Sequence, residues 1–301
     1  MAKQLIKITN SFNDTLYGYA WTVKDPKANV IIMTGMQETA ERYDDFANFL
    51  NQNNYDVYCI DHYGQGLNIK DINLPGVWPI SGFSKTVKTF GELENNLKKT
   101  GLPVYIFAHS MGSFMAQEFI QRFHERVSKV ILCGTDYANP WVMGCAYLLS
   151  KHIVPNSKRD EPSKKMANLV TGAFAKAVPN AKTEFDWLSY NTANVEKYSK
   201  DPKCGFVATG GFYREFLKGM KRIGKKKFIR KIRQTVSIYI IAGKEDPVGH
   251  MGKGPTKLYK RYKRLGVTNI QLKLYDKMRH EILNENNNKV VYQDILEFLD
   301  K

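Results

Sequence analysis

Val104-Tyr105-Ile106-Phe107-Ala108-His109-Ser110-Met111-Gly112-Ser113-Phe114-Met115-Ala116-Gln117-Glu118-Phe119-Ile120 is the stretch that decides how this chain folds. It opens with an apolar run of strand length and closes with eight residues of helical character. Between them, Ala108-His109-Ser110-Met111-Gly112 reads small-x-Ser-x-Gly, a strand-to-helix turn with a serine at its apex. Such a turn lifts the Ser110 hydroxyl above a sheet edge, and the helix N-terminus beneath it favours developing negative charge. Small residues at both ends let the two backbones approach, although the first is Ala108 where glycine is usual. Taken alone, the pentapeptide also fits a turn with no catalytic meaning.

The neighbouring sequence repeats the strand–helix alternation. Gln4–Thr9 and Thr15–Val23 form an opening hairpin, and Val30–Thr34, Tyr55–Asp61, Pro103–His109, Val127–Gly134, Val236–Gly243 and Asn269–Tyr275 read as strands. Helical spacing covers Glu41–Gln52, Lys85–Lys98, Gly112–Phe123, Thr256–Leu265 and Val290–Leu299. This alternation predicts an α/β fold, a mostly parallel sheet flanked by helices on both faces. It breaks after the sixth strand, the Val127–Gly134 run. There the pattern turns helical and irregular, with Trp141–His152, Lys164–Ala177 and Gly211–Met220 punctuated by Pro155, Pro162, Pro179 and Pro202. The expected organisation is a core of residues 1–136 and 222–301 with a helical cap, 137–221, inserted between them.

With 43% hydrophobic and 12% aromatic residues, the 301-residue chain can bury a substantial core. No apolar run approaches the ~18 residues of a membrane span, and the first residues lack the apolar stretch of a secretory signal. The four cysteines, Cys59, Cys133, Cys145 and Cys204, are widely spaced, as expected of reduced thiols in a cytoplasmic protein. The net charge of +16 is uneven: residues 151–233 carry 20 Lys/Arg against 7 Asp/Glu, and 222–233 carry 7 Lys/Arg and no acid. This excess suits an anionic membrane surface or lipid head groups, with a solvated lysine face as the bland alternative. Nucleic-acid phosphates would also meet such a run, but no nucleic-acid fold signature accompanies it and no such partner is expected. Gly252-Lys253-Gly254-Pro255-Thr256-Lys257 has the wrong spacing for a phosphate loop, and no metal-ligand cluster is present in the sequence.

A serine hydroxyl is a poor nucleophile at neutral pH and needs a base, which in turn needs an orienting acid. The chain supplies both in the order Ser…Asp…His. The Val236–Gly243 strand runs into Lys244-Glu245-Asp246-Pro247-Val248, and Asn269–Tyr275 leads to Met278-Arg279-His280-Glu281. The C-terminal ends of parallel strands are where such sheets place their sites. Asp246 is the candidate acid, with Glu245 its rival in the same turn and a turn-capping carboxylate the plainer role. Of six histidines, only His280 has strand, loop and order in its favour. His109 is expected to point away from the Ser110 side chain, and His62 to be structural. The Met36 and Met111 backbone N–H groups are the candidate oxyanion donors.

These residues resemble the α/β-hydrolase fold, in the monoacylglycerol lipase / lysophospholipase group that overlaps the serine aminopeptidase profile. Carrying the resemblance are Thr34-Gly35-Met36-x-Glu38-x-x-x-Arg42-Tyr43, Asp61-His62-Tyr63-Gly64-Gln65-Gly66, the Ser110 turn, Gly243-x-x-Asp246-Pro247-Val248 and Arg279-His280-Glu281-x-x-Asn284-Glu285. In the cap, Phe185-Asp186-Trp187-Leu188-Ser189 and Asp201-Pro202-x-Cys204-Gly205-Phe206 add to it. The family usually has His before Gly35, Arg at position 63, His at 65 and Gly at 108. The resemblance implies carboxylic ester hydrolysis through an acyl-enzyme on Ser110, with no cofactor and a small ester or lipid as substrate. Monoacylglycerol, lysophospholipid, short ester and N-terminal peptide substrates all remain open. So does a non-catalytic hydrolase fold used for binding. Cap residues Trp141, Tyr147, Leu148, Leu149, Phe174, Trp187, Phe206 and Phe212 are candidates for an acyl pocket or for the cap's own core.

Overall fold

The computed structural model describes residues 2–301. The elements follow in chain order. The first half holds β1 (Ala2–Thr9), β2 (Thr15–Thr22), β3 (Ala28–Met33), α1 (Asp44–Gln52), β4 (Tyr55–Ile60), α2 (Gly82–Leu97), β5 (Val104–His109), α3 (Met111–Arg122) and β6 (Lys129–Cys133). Six helices come next: α4 (Pro140–Ile153), α5 (Lys164–Val170), α6 (Gly172–Lys176), α7 (Thr192–Lys200), α8 (Gly210–Ile223) and α9 (Lys226–Ile229). The chain closes with β7 (Ser237–Gly243), α10 (Lys253–Arg264), β8 (Ile270–Tyr275) and α11 (Lys289–Asp300).

The strands form one sheet in the order β1-β2-β4-β3-β5-β6-β7-β8. The β1–β2 and β2–β4 pairs are antiparallel, and every later neighbour is parallel. Every residue of β3 is buried, as a strand covered on both faces requires. Side chains then divide by the two-residue strand period. Ile31 and Met33 join Ile106, Ala108, Val130 and Leu132 against Met115 and Phe119 of α3. Val30 and Ile32 join Phe107, Ile131 and Ile241 on the other face, against Phe46 and Leu50 of α1 and Ile295 of α11. Each fully buried Val, Leu, Ile, Phe or Met side chain among them contributes about 1.5–3 kcal/mol.

Helix boundaries depart from the sequence pattern where turn chemistry intervenes. Residues 41–43 of the expected Glu41–Gln52 helix belong instead to a tighter 3₁₀ turn, Ala40–Tyr43. α10 begins three residues earlier than its apolar spacing predicts, because Gly252 at φ 79° caps it and Pro255 falls in a first turn that needs no donor. The single helix expected over Lys164–Ala177 breaks at Thr171 into α5 and α6. α8 lies on the core: Phe216 meets the rings of Phe83 and Phe114, and a Cβ on Gly219 would fall 2.4 Å from the Phe83 ring.

Candidate active site

Five loops gather at the C-terminal edge of the parallel strands, following β3, β5, β6, β7 and β8. Ser110 stands after β5 at φ 50°, ψ −120°, a conformation a side chain adopts only when its surroundings enforce it. Here the enforcement is local. The Ser110 amide donates to the Cys133 carbonyl at 2.9 Å, and its carbonyl accepts from the Ser113 amide at 2.9 Å and the Ser113 hydroxyl at 2.6 Å. Gly112 is obligatory, since a Cβ there would lie 2.1 Å from the Met33 carbonyl oxygen. Ala108 is a regular strand residue between Met33 and Leu132. Its methyl group is core packing, which is why glycine is not needed there.

His280 and Asp246 meet as the chain order predicts. The imidazole Nδ1 lies 3.0 Å from Asp246 Oδ2, with both side chains buried. The other Asp246 oxygen accepts from the Val248 amide at 2.8 Å. Glu245 is excluded as partner: its carboxylate receives the Tyr190 hydroxyl instead. Burial pulls the His280 pKa down, but the charge and hydrogen bond of Asp246, together with the charges of Glu281 and Glu38, outweigh it and hold the pKa above its ordinary value. The imidazole Nε2 is buried with no partner among the described residues. It lines the same cavity as Ser110. Gly134, at φ 58°, leaves room for the ring, since a Cβ would sit 3.0 Å from Cε1.

The loop after β3 presents the Met36 amide. Its neighbours are occupied: Gly35 N–H donates to Glu38 Oε1, and Gln37 N–H to Gln65 Oε1 at 2.9 Å. Neither Met36 nor Met111 N–H has an acceptor among the described residues, and both residues line the cavity. His62 is structural as expected, its Nε2 within 2.9 Å of the Thr34 carbonyl, and burial lowers its pKa to about 4. Gln65, where the family usually has histidine, also donates to the Gly35 carbonyl at 3.1 Å. Tyr63 turns away from the site and bonds Asn10 at 2.7 Å and Asp14 at 3.0 Å.

Two contacts go beyond what the motifs containing these residues state. Arg42 is buried among Glu281 (2.6 and 2.7 Å), Glu38 (2.8 Å) and Asn194 (3.0 Å), with the Tyr198 ring 4.8 Å away. It joins the β3 loop, the turn beside His280 and α7. The i, i+4 spacing of Glu38 and Arg42 was the visible signal; the third partner, far along the chain, was not. His109 lies beside the His280 ring at 4.7 Å, and burial holds its pKa well below the ordinary value.

The cavity measures about 320 Å³, within the usual range for small-molecule sites. Phe114, Phe174, Phe216, Leu217 and Met220 supply apolar wall, and Trp187 packs on His280 at 5.1 Å. Of the cap residues expected at an acyl pocket, Phe174 and Trp187 line it. Trp141, Leu148 and Leu149 are exposed, and Phe212 is buried against Trp78. The turn carrying His280 is locked to the 3₁₀ turn Asp186–Leu188 between α6 and α7, because Glu281 N–H donates to the Leu188 carbonyl at 2.7 Å and Arg279 to that of Asp186 at 2.7 Å. Among the described residues no helix is long and apolar enough to cross a membrane, and no group of His, Cys, Asp and Glu could hold a metal ion.

A mostly parallel eight-stranded sheet with a serine turn after β5 and an Asp–His pair from the loops after β7 and β8 defines an α/β-hydrolase. The chain belongs to the serine aminopeptidase, S33 family, whose pattern matches residues 24–287. It is 23% identical to a monoacylglycerol lipase of Mycolicibacterium smegmatis, over 93% of this chain and 90% of that protein. It is 26% identical to a monoglyceride lipase homolog of Monkeypox virus, over 76% and 75% of the two chains. In structure it superposes on a thermostable carboxyl esterase of Bacillus coagulans with a TM-score of 0.89 at 25% identity, covering 100% and 98% of the chains. The monoglyceride lipase of Saccharomyces cerevisiae shares the fold at a TM-score of 0.75 and 17% identity, over 100% and 95%.

Proposed function

We propose that the protein is a serine hydrolase of carboxylic esters of lipids, of the monoacylglycerol or lysophospholipid class, acting through an acyl-enzyme. The observation that carries this reading is the unpartnered His280 Nε2 in an apolar cavity shared with Ser110, while Nδ1 is held by Asp246. Nδ1 then keeps its proton, and Nε2 is the free base that takes the Ser110 proton as the oxygen attacks. Asp246 steadies the imidazolium, and the Met36 and Met111 amides receive the oxyanion. His280 returns the proton to the leaving alcohol, and water activated by the same nitrogen releases the acid. No step draws on a cofactor. The lipase and esterase relatives support this reaction over binding alone, and the apolar wall supports an acyl chain. We also infer a peripheral contact with anionic membrane surfaces, supported by the basic excess of residues 151–233.

Ser110→Ala is expected to abolish hydrolysis of p-nitrophenyl esters and labelling by a fluorophosphonate, with the circular dichroism spectrum unchanged. Retained activity in that variant overturns the assignment. A glycerol-ester series of increasing acyl length, run beside an aminoacyl p-nitroanilide, separates lipase, short-chain esterase and aminopeptidase.

A further inference from the structure

The loop after β3 is held by two glutamines, one in the core and one turned toward the helices between β6 and β7. Gln65 is fully buried in the loop after β4. Its amide bridges two successive peptide groups: Nε2 donates to the Gly35 carbonyl at 3.1 Å, and Oε1 accepts the Gln37 N–H at 2.9 Å. A carbonyl can only accept and an N–H only donate, so these partners fix which way the amide faces. The peptide joining Gly35 to Met36 is planar and trans, with its N–H opposite its C=O. A Gly35 carbonyl drawn to Gln65 therefore turns the Met36 N–H away from Gln65. Met36 lines the cavity, and its N–H meets no acceptor among the described residues. The loop lies against the nucleophile, since a Cβ on Gly35 would fall 3.2 Å from Ser110 Cβ.

Gln37 sits at φ 59°, in the left-handed region that favours glycine. Its surroundings hold it there. Its carbonyl accepts from the Gly205 amide and the Tyr198 hydroxyl, each at 3.0 Å. Its side-chain Nε2 donates to the Phe206 carbonyl and, at 3.2 Å, to the Tyr213 hydroxyl. All four partners belong to α7, to α8 or to the chain between them. Glycine at position 37 would make the same turn without strain, but it would lose both side-chain bonds. The strained residue thus fastens the loop to the helices between β6 and β7.

We propose that Gln65 and Gln37 are positioning residues for ester hydrolysis: Gln65 aims the Met36 N–H at the oxyanion, and Gln37 ties that amide to α7 and α8. The inference rests on the serine-hydrolase reading, in which Met36 is an oxyanion donor. Both side chains act through the backbone of residues 35–37. A donor moved off the oxyanion weakens the transition state more than the bound ester, so the effect falls on kcat. A neutral imidazole has one donor and one acceptor nitrogen separated by a single carbon, as the amide has its nitrogen and oxygen. Histidine at position 65 can therefore bridge the same two peptides, whereas leucine can bridge neither.

The test compares Gln65→Leu, Gln65→His and Gln37→Ala with the wild type on p-nitrophenyl butyrate. Octyl trifluoromethyl ketone, which forms an oxyanion when a serine adds to it, is set beside its reduced alcohol, which cannot. Gln65→Leu should lower kcat about 100-fold and weaken the ketone by a similar factor. KM and the affinity for the alcohol should stay within about twofold. Gln65→His should recover kcat to within about fivefold of the wild type. Gln37→Ala, at a half-buried position, should lower kcat about tenfold in the same pattern, and it keeps the test readable if Gln65→Leu fails to fold. Active sites are counted by fluorophosphonate titration. A lower melting temperature with kcat per active site unchanged assigns the glutamines to stability alone and overturns the proposal. A loss shared equally by ketone and alcohol also overturns it, because that loss is in binding. A histidine variant as impaired as the leucine variant removes the bridging role of Gln65. A wild type that neither cleaves the ester nor takes up fluorophosphonate on Ser110 overturns the hydrolase reading itself.

Discussion

Asp246 and Glu245 are neighbours in one turn, yet only Asp246 reaches the imidazole. The difference has a consequence for pH. His280 accepts a proton only when neutral, so kcat/KM falls as pH drops through its pKa. That pKa is raised because the Asp246 charge and hydrogen bond, with the charges of Glu281 and Glu38, outweigh burial. In Asp246→Asn burial is opposed only by the smaller pulls of Glu281 and Glu38, and the acidic limb of kcat/KM is expected to move to lower pH. The maximal rate should fall about 10³–10⁴-fold, since the asparagine no longer fixes the tautomer with the proton on Nδ1. A full pH–rate profile of both proteins checks this; an unmoved acidic limb would show that Asp246 does not set the His280 pKa. At this scale the sequence was informative, because Ser110, Asp246 and His280 each follow a strand in a fixed order. The partner of the Asp–His pair was less so, since within the Glu245-Asp246 turn Glu245 is engaged by Tyr190 from a distant segment while Asp246 is held by the Val248 amide.

The Arg42 guanidinium joins three separate elements at the site. The loop after β3 supplies Glu38, the 3₁₀ turn that follows it supplies Arg42, the turn after β8 supplies Glu281, and α7 supplies Asn194. Burial alone would raise the Glu281 pKa, but Arg42 holds it down to about 2. Glu38, sharing the same cation, stays above its ordinary value. Arg42→Met leaves two buried carboxylates without a cation and should cost about 3–5 kcal/mol at pH 7, read by urea unfolding. In that variant both carboxyl groups have folded pKa values above the unfolded ones. Their penalty is therefore largest above those values and fades as pH falls toward about 4.5. The gap between variant and wild type should narrow over that interval, and a gap independent of pH would place the loss in packing. Element type was legible because strand and helix periods are local. The breaks at residues 40–43 and at Thr171 were not, since they answer to contacts outside their own segment.

At the scale of the whole molecule, positive charge and exposed apolar side chains meet on the face that carries α4. α4 presents Trp141, 84% exposed, with Val142, Leu148 and Leu149 also in solvent. The basic run begins beside it: a Cβ on Gly224 would lie 3.1 Å from Pro140 Cδ, and Lys221 reaches toward the Tyr147 ring. The charge imbalance of residues 151–233 could be counted from the sequence, but its pairing with an apolar helix could not, because α4 and α8 are distant in the chain and meet only in the fold. An apolar stripe flanked by cations is the composition of a surface that enters the head-group region of an anionic bilayer, with each nearby lysine or arginine contributing about 1 kcal/mol. Co-sedimentation should therefore show binding to phosphatidylglycerol vesicles that weakens as salt shortens the screening length from about 10 Å at 0.1 M. Phosphatidylcholine vesicles should bind far less. Trp141→Ser should lower the partition coefficient about tenfold, given ~1.5–3 kcal/mol for burying a large apolar side chain completely. Equal binding to neutral and anionic vesicles would rule out docking by charge. An unchanged partition in the Trp141 variant would instead remove α4 from the contact and leave the basic run to act alone.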